Sequence, residues 1–498
     1  MTFTIRQLAS SVSNFNISGN NVVWSGFDGS DYEIYLNNGS STIQLTDNSF
    51  YDSSAEISGN NVVWEAEEGT YSQIYLYNGS STIQLTDNHG YIPKISGNNV
   101  VWSGFDGSDY EIYLYNGSST IQLTDNSYND YPSQVSGNNV VWQGPGGVAA
   151  IYLYNGSSTI QLTDRSYNDF LPQISDNNVV WSGSDGNDAE IYLYNGSSTI
   201  QLTDNSFQDY APKISGNNVV WEGYGGNDAE IYLYNGSSTI QLTDNSFDDF
   251  HPEISGNNVV WSGSDGNDYE IYLYNGSSTI QLTDNSFDDL YPEISGNNVV
   301  WESAASSTSF YDLFSTALPL WSSVTTTLPT DIYDLTLTGA FHINGFGNSL
   351  NNTLTGNEAN NLLSGKSGDD TLLGEMGSDR LVGGSGADTL TGGAGADRFI
   401  RKYSYTGVDT ITDFNVAEDS LLVSASGFGG ELVSGAVITQ AQFTVGEAAL
   451  DESDRFIYDS TTGGLFFDAD GTGISEAIQV ERLSSGLAMT NANIFVFA

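Results

Sequence analysis

Four aspartates, Asp370, Asp379, Asp388 and Asp397, stand nine residues apart, and two asparagines, Asn352 and Asn361, continue the same column toward the N-terminus. Each lies five residues after a glycine, at 347, 356, 365, 374, 383 and 392, and two residues before Leu354, Leu363, Leu372, Leu381, Leu390 or Phe399. Six nonapeptides therefore run in register, with glycine at position one, an acid or amide at position six and an apolar residue at position eight. Small residues at positions one, two and four let the backbone turn tightly and aim its carbonyl oxygens inward. Carbonyl and carboxylate oxygens together are the donor set of a hard divalent cation, calcium above all.

The elements that must position these oxygens follow from position eight. Three residues centred there form a short strand whose apolar side chain points to one side. Each nonapeptide is then half a coil, and two repeats close one coil of eighteen residues in a parallel β-helix. Glycine-rich turns lose much conformational entropy on ordering, and a single Leu or Phe per repeat offsets little of it. A cation that binds only the folded form makes folding and calcium binding one event.

These residues resemble the RTX nonapeptide repeats, the hemolysin-type calcium-binding repeats of secreted bacterial proteins. The resemblance implies ions held between one turn and the turn eighteen residues later. Carbonyls from positions two and four of the first turn and one and three of the second would join both position-six carboxylates. One site would use Lys366, Gly368 and Asp370 with Gly383, Ser385 and Asp388, and its partner Glu375, Gly377 and Asp379 with Gly392, Ala394 and Asp397. Lys366 and Glu375 would serve only through their carbonyls. Two further pairs, Asn352 with Asp370 and Asn361 with Asp379, carry Leu350 and Ala359 at position four instead of glycine and are expected to be weaker or empty.

Composition narrows the partners. The 498 residues hold 11 Lys and Arg against 62 Asp and Glu, a formal charge of −51, which repels nucleic acid and anionic membrane surfaces and attracts cations. With no cysteine, disulfides and thiolate metal sites are excluded. No stretch approaches membrane-spanning length, and residues 1–10 carry no basic segment followed by an apolar run. Histidine occurs only at 89, 251 and 342; there is no H-E-x-x-H, no G-x-S-x-G and no phosphate-binding glycine loop. Acidic pairs suited to glycoside hydrolysis are plentiful, but they recur in near-identical copies, which points to structure.

Before the nonapeptides, the phrase Ile17-Ser-Gly-Asn-Asn-Val-Val-Trp24 recurs to place Trp at 24, 64, 102, 142, 181, 221, 261 and 301. A second phrase, Asn38-Gly-Ser-Ser-Thr-Ile-Gln-Leu-Thr-Asp47, follows the first seven of these. Each unit reads as four short strands, with Asn-Gly as a hairpin turn. Val-Val-Trp and Ile-Tyr-Leu-Tyr put apolar groups on both faces, so both must be buried, which suits a propeller blade packed between two others. The Trp ring is read as core and the Asp-rich loops as turns.

The units resemble TolB-like propeller repeats, with Pro93, Pro172, Pro212, Pro252 and Pro292 in the first strand and Asp28-Gly29, Asp106-Gly107, Asp185-Gly186 and Asp265-Gly266 in the turn before an Ile-Tyr strand. They lack that family's aromatic-Ser-Pro core, replaced by Ser-Gly-Asn-Asn. Eight blades are expected, with seven as the alternative. Residues 309–314 would be the third strand of the eighth blade, and residues 5–8 its outer strand.

The expected fold is all-β: a propeller over 1–315, a Ser/Thr-rich linker over 316–330, a parallel β-roll over 331–402 and a β-rich cap over 403–498. In RTX proteins a C-terminal segment like this one carries the uncleaved type I secretion signal. The resulting expectation is a secreted, extracellular bacterial protein, not an enzyme, that binds calcium through the roll and a protein or glycan ligand through the propeller. The competing expectation is a secreted enzyme acting on polysaccharide or another extracellular substrate at the propeller face.

Overall fold

Val-Val-Trp and Ile-Tyr-Leu-Tyr are β-branched and aromatic runs that suit a pleated surface packed on both sides, and they form the two central strands of every complete repeat. The computed structural model describes residues 5–87, 89–144, 148–164, 166–226, 228–304, 311–329 and 332–498. It divides into two compact units, Met1–Ala317 and Leu318–Ala498. In the first, six four-stranded antiparallel sheets accompany one seven-stranded sheet. One complete repeat is built as Asp249–Ser255, Asn258–Ser264, Tyr269–Tyr274 and Thr279–Gln281. Its Trp261 is 1% exposed and stacks on Tyr272 at 5.9 Å between ring centroids, and the same Trp–Tyr pair recurs in the other complete blades. Trp is therefore core. The buried aspartate at the head of the first strand holds three of these indoles, Asp249 accepting from Trp261 Nε1 at 3.0 Å, as Asp169 and Asp209 do from Trp181 and Trp221.

The seven-stranded sheet contains two blades that share one strand. In Arg6–Ser18, Arg6 to Val12 pair antiparallel with Tyr311–Ala317, and Val12 to Ser18 pair with Asn21–Phe27. The N-terminal strand is thus the outer strand of the last blade and the inner strand of the first, which closes a ring of eight. Residues 309 and 310 lie outside the described residues; the third strand of the last blade runs from Tyr311.

First strands of successive blades contact one another around the axis, the last against the first. The Ser-Gly-Asn-Asn turn links blades: Gly59 N–H donates to Ser18 Oγ at 2.9 Å, and each later turn repeats the bond until Gly19 donates to Ser295 Oγ at 2.8 Å.

In the second unit, strands pair in parallel at the expected spacing. Leu354 pairs with Leu372 and Leu372 with Leu390 in one sheet, Leu363 with Leu381 and Leu381 with Phe399 in the other. All six position-eight side chains are buried in one apolar column. The stretch expected as a linker over 316–330 is divided: Thr316 and Ala317 end a propeller strand, and from 318 the roll begins, Leu320–Ser322 pairing in parallel with residues 335–337 and Thr326–Thr327 with 345–346. Threonine-rich sequence is a good strand former without any glycine phase to announce it, and Leu318 and Leu328 are buried there. Beyond the nonapeptides both sheets continue, through Asp409–Ile411 and Ser420–Ser424, to Ile478–Arg482 and the C-terminal strand Ile494–Phe497.

Candidate metal centre

Each turn of the roll presents its position-six residue inward because the strand that follows locks position eight into the core. Asp370, Asp379, Asp388 and Asp397 are at most 1% exposed. One oxygen of each is committed to the backbone: Asp370 Oδ1 accepts from Asn352 N–H at 2.7 Å, Asp379 Oδ1 from Asn361 at 2.7 Å, Asp388 Oδ1 from Asp370 at 2.8 Å and Asp397 Oδ1 from Asp379 at 2.8 Å. The other oxygen, Oδ2, is buried in all four without any hydrogen-bond partner. Burial pushes Asp370 and Asp379 up to about 7 and raises Asp388 and Asp397 as well. Four inward carboxylate oxygens with no donor call for a cation.

Carbonyls converge on the same turns, and the glycines record where. A Cβ on Gly374 would sit 2.4 Å from Gly392 O and 2.6 Å from Asp379 Oδ2, so a position-one carbonyl and a position-six carboxylate flank one space. Cβ atoms on Gly384, Gly386, Gly393 and Gly395 would strike the carbonyls of Lys366, Gly368, Glu375 and Gly377 at 2.2 Å or less. Lys366 and Glu375 themselves adopt φ of 78° and 72°, the left-handed conformation usually given to glycine, and so turn their carbonyls along with the rest. Among the third-position carbonyls, Ser385 O accepts from Gly368 N–H at 3.0 Å and Ala394 O from Gly377 N–H at 2.9 Å, each retaining a second lone pair. The donor set around both pairs of turns is all oxygen and doubly acidic, which fits calcium.

The asparagine turns are built differently. Asn352 Oδ1 accepts from Asn348 N–H at 2.8 Å while its Nδ2 donates to Asn348 Oδ1 at 3.1 Å, and Asn361 does the same with Asn357 and donates further to Ile343 O. Amide hydrogens supply part of the positive charge there, and Asn352 and Asn361 offer a neutral oxygen, already accepting one N–H, where the aspartates offer a bare carboxylate oxygen.

Sequence reasoning missed the end of the column. Arg401 occupies the next position one in the nine-residue phase, and it is 3% exposed. Its Nη1 donates to Asp409 Oδ2 at 2.8 Å and to Glu481 Oε1 at 3.3 Å, and its Nη2 donates to Gly407 O. Asp409 Oδ1 accepts from Asp388 N–H at 3.2 Å, so Asp409 takes the position-six role in the following turn. A guanidinium thus provides positive charge where the preceding turns leave carboxylate oxygens bare. The signal was present as an arginine in phase with six glycines; its partner Glu481 is 80 residues away.

The propeller unit holds a separate cavity of about 420 Å³ near its axis, lined by Lys213, Glu222, His251, Glu253, Glu293 and Glu302 among others. Lys213 is ion-paired with Glu253. Glu293 is pushed up to about 8, by burial first and then by Glu253 and Glu56, and burial takes Glu302 to about 7.

A family model described as the RTX calcium-binding nonapeptide repeat matches residues 346–381 and 373–400, in four copies. No curated protein matches the sequence. Among solved structures, the chain is similar to the β-propeller domain of the Trilobed protease from Pyrococcus furiosus, at 13% identity and a TM-score of 0.41, covering 54% of this chain and 95% of that one. It is similar to the acylaminoacyl peptidase of Pyrococcus horikoshii at 12% identity and a TM-score of 0.40, covering 60% of this chain and 58% of the peptidase. It is also similar to TolB from Acinetobacter baumannii at 16% identity and a TM-score of 0.32, covering 53% of this chain and 62% of TolB. The chain thus spans under two thirds of the peptidase and of TolB. Residues 346–400 are RTX calcium-binding nonapeptide repeats, folded as a parallel β-roll whose turns bury four partnerless aspartate oxygens.

Proposed function

We propose that this chain is a secreted, non-enzymatic protein whose roll folds on meeting calcium and whose propeller is a scaffold for binding an extracellular protein or glycan. The observation that carries the reading is the set of four buried Oδ2 atoms on Asp370, Asp379, Asp388 and Asp397. Without a cation these charges oppose folding; with one they become its ligands, together with the carbonyls of Lys366, Gly368, Gly383 and Ser385 and of Glu375, Gly377, Gly392 and Ala394. Calcium supplies double positive charge without directional demands, and the turns supply oxygen ligands that come together as the roll folds around it.

Export by a type I route is supported by the C-terminus. Ile494 and Val496 are buried in the strand that pairs with Ser420–Ser424, so a signal in this segment is readable only before the roll folds. A low-calcium cytosol would keep it unfolded until release. The direct test is circular dichroism of residues 318–498 with millimolar calcium and then with chelator. A β spectrum indifferent to chelator would overturn calcium-driven folding.

A second reading, an enzyme acting on polysaccharide or another extracellular substrate, draws on the propeller cavity. It gathers unlike polar residues from divergent positions, and Glu293 and Glu302 are held in the protonatable range. Screening the protein and Glu302→Gln against a glycan panel separates the two. Binding without turnover supports the scaffold, whereas turnover lost in the variant supports the enzyme.

A further inference from the structure

Acidic side chains gather a second time, in the propeller. In the first blade one carboxylate oxygen from each of Asp28, Glu33 and Asp47 lies within 4.8 Å of the other two, and the same holds for Asp106, Glu111 and Asp125 in the third and Asp185, Glu190 and Asp204 in the fifth. Ligands on a calcium ion, at about 2.4 Å each, can be no more than about 4.8 Å apart. Crowding of acids is not by itself a site.

The decisive feature is the central glutamate. Glu33, Glu111 and Glu190 are 0% exposed, and each commits Oε1 to a backbone N–H, of Asn48 at 2.9 Å, Asn126 at 2.7 Å and Asn205 at 3.0 Å. Each leaves Oε2 buried without an N–H donor, and the glutamate lies beside a second buried carboxyl, of Asp52, Asp130 or Asp209. Beside them Asp31, Asp109 and Asp188 also bury a partnerless Oδ1. Among the described residues no ion pair reaches these groups; the propeller's two join Lys94 to Glu56 and Lys213 to Glu253. Tyr35, Tyr113 and Tyr192 are raised by burial first and then by the charges of their own cluster.

The seventh blade carries the same residue types, Asp265, Glu270 and Asp284, and its Glu270 is also 0% exposed, accepts from Asn285 N–H at 2.7 Å and keeps an Oε2 without an N–H donor; three other blades break the pattern. Gln73 and Ala150 replace the central glutamate in the second and fourth, and Gly225 replaces the first aspartate in the sixth.

We propose that the first, third and fifth blades each bind a hard divalent cation, calcium by its size and oxygen donor set, at Asp28/Glu33/Asp47 and its two counterparts. These sites are distinct from the roll and clamp the loop after the second strand to the loop after the fourth.

Hydrogen exchange by mass spectrometry on the full chain, chelated and then returned to calcium, reads each blade separately. At ten times Kd, exchange over residues 28–34 and 45–48 and their counterparts slows about ten-fold. Residues 67–74 and 223–231, in the second and sixth blades, stay unchanged. Glu33→Gln removes the effect from the first blade only, and Asp47→Asn, at an exposed position, does so without touching the buried glutamate. No calcium-dependent slowing in the three blades, or equal slowing in the second and sixth, overturns the proposal. Roll peptides over 347–400 in the same experiment report the nonapeptide sites independently, so either set can fail alone.

Discussion

Replacing Asp379 by asparagine should change the stability of the roll in opposite directions with and without calcium. In the cation-free roll Asp379 is fully buried and burial lifts its carboxyl from the ordinary 3.8 to about 7. At 1.36 kcal/mol per tenfold change in proton affinity, the ionised group costs about 4 kcal/mol above neutral pH. Asparagine carries no charge, its Oδ1 can keep the bond from Asn361 N–H, and its Nδ2 would take the place of Oδ2 beside Gly392 O. The chelated variant is therefore more stable than the parent by up to about 4 kcal/mol. In calcium the variant lacks one charged ligand, and losing a site held at 100 to 1,000 times Kd forfeits about 3–4 kcal/mol. Hydrogen exchange over residues 356–400 of the full chain, with chelator and with calcium, measures both arms: slower exchange than the parent in chelator, faster in calcium. A change of the same sign in both conditions would refute the assignment of Oδ2 as a cation ligand.

The remaining predictions follow from the same geometry. Folded Asp370 and Asp379 hold protons up to about pH 7 and unfolded ones only to about 4, so the chelated roll binds more protons when folded and folding becomes less favourable as pH rises across that window; circular dichroism in chelator should show more β signal at about pH 5 than at about pH 7.5. Arg401→Gln leaves Asp409 and Glu481 buried without their cation and should cost about 3–5 kcal/mol, with a depressed roll melting transition that added calcium does not restore. Deleting residues 1–10 removes most of the strand pairing with Tyr311–Ala317; at about 1 kcal/mol per hydrogen bond, the tryptophan-detected melting of the propeller should fall by about 10 °C, and an unchanged curve would refute closure by the N-terminal strand.

Much of the fold was legible because its units repeat. Phased Gly, Asp and Leu announced the eighteen-residue coil, and it is seen in the pairing of Leu354 with Leu372 and Leu390. Leu320-Trp-Ser322 and Thr326-Thr327 were not legible as the first turn, because a strand that stacks on one neighbour needs no glycine and no period of its own. Asn352 and Asn361 read as weaker ligands by position; their pairing with Asn348 and Asn357 was not legible, because it depends on position two being asparagine in just those turns.

By itself the sequence determined what recurs: four strands to each propeller unit, the eighteen-residue coil and the column of acids, since each is a local pattern repeated until chance is excluded. Tertiary structure alone decided which oxygens are left without partners. Whether Asp370 keeps a bare Oδ2, whether Arg401 meets Asp409 and Glu481, and whether Glu33 closes on Asp28 and Asp47 all turn on groups from separate turns arriving within a few ångströms. Coulombic and hydrogen-bond energies depend on those distances and on the exclusion of water, and neither is encoded in spacing along the chain.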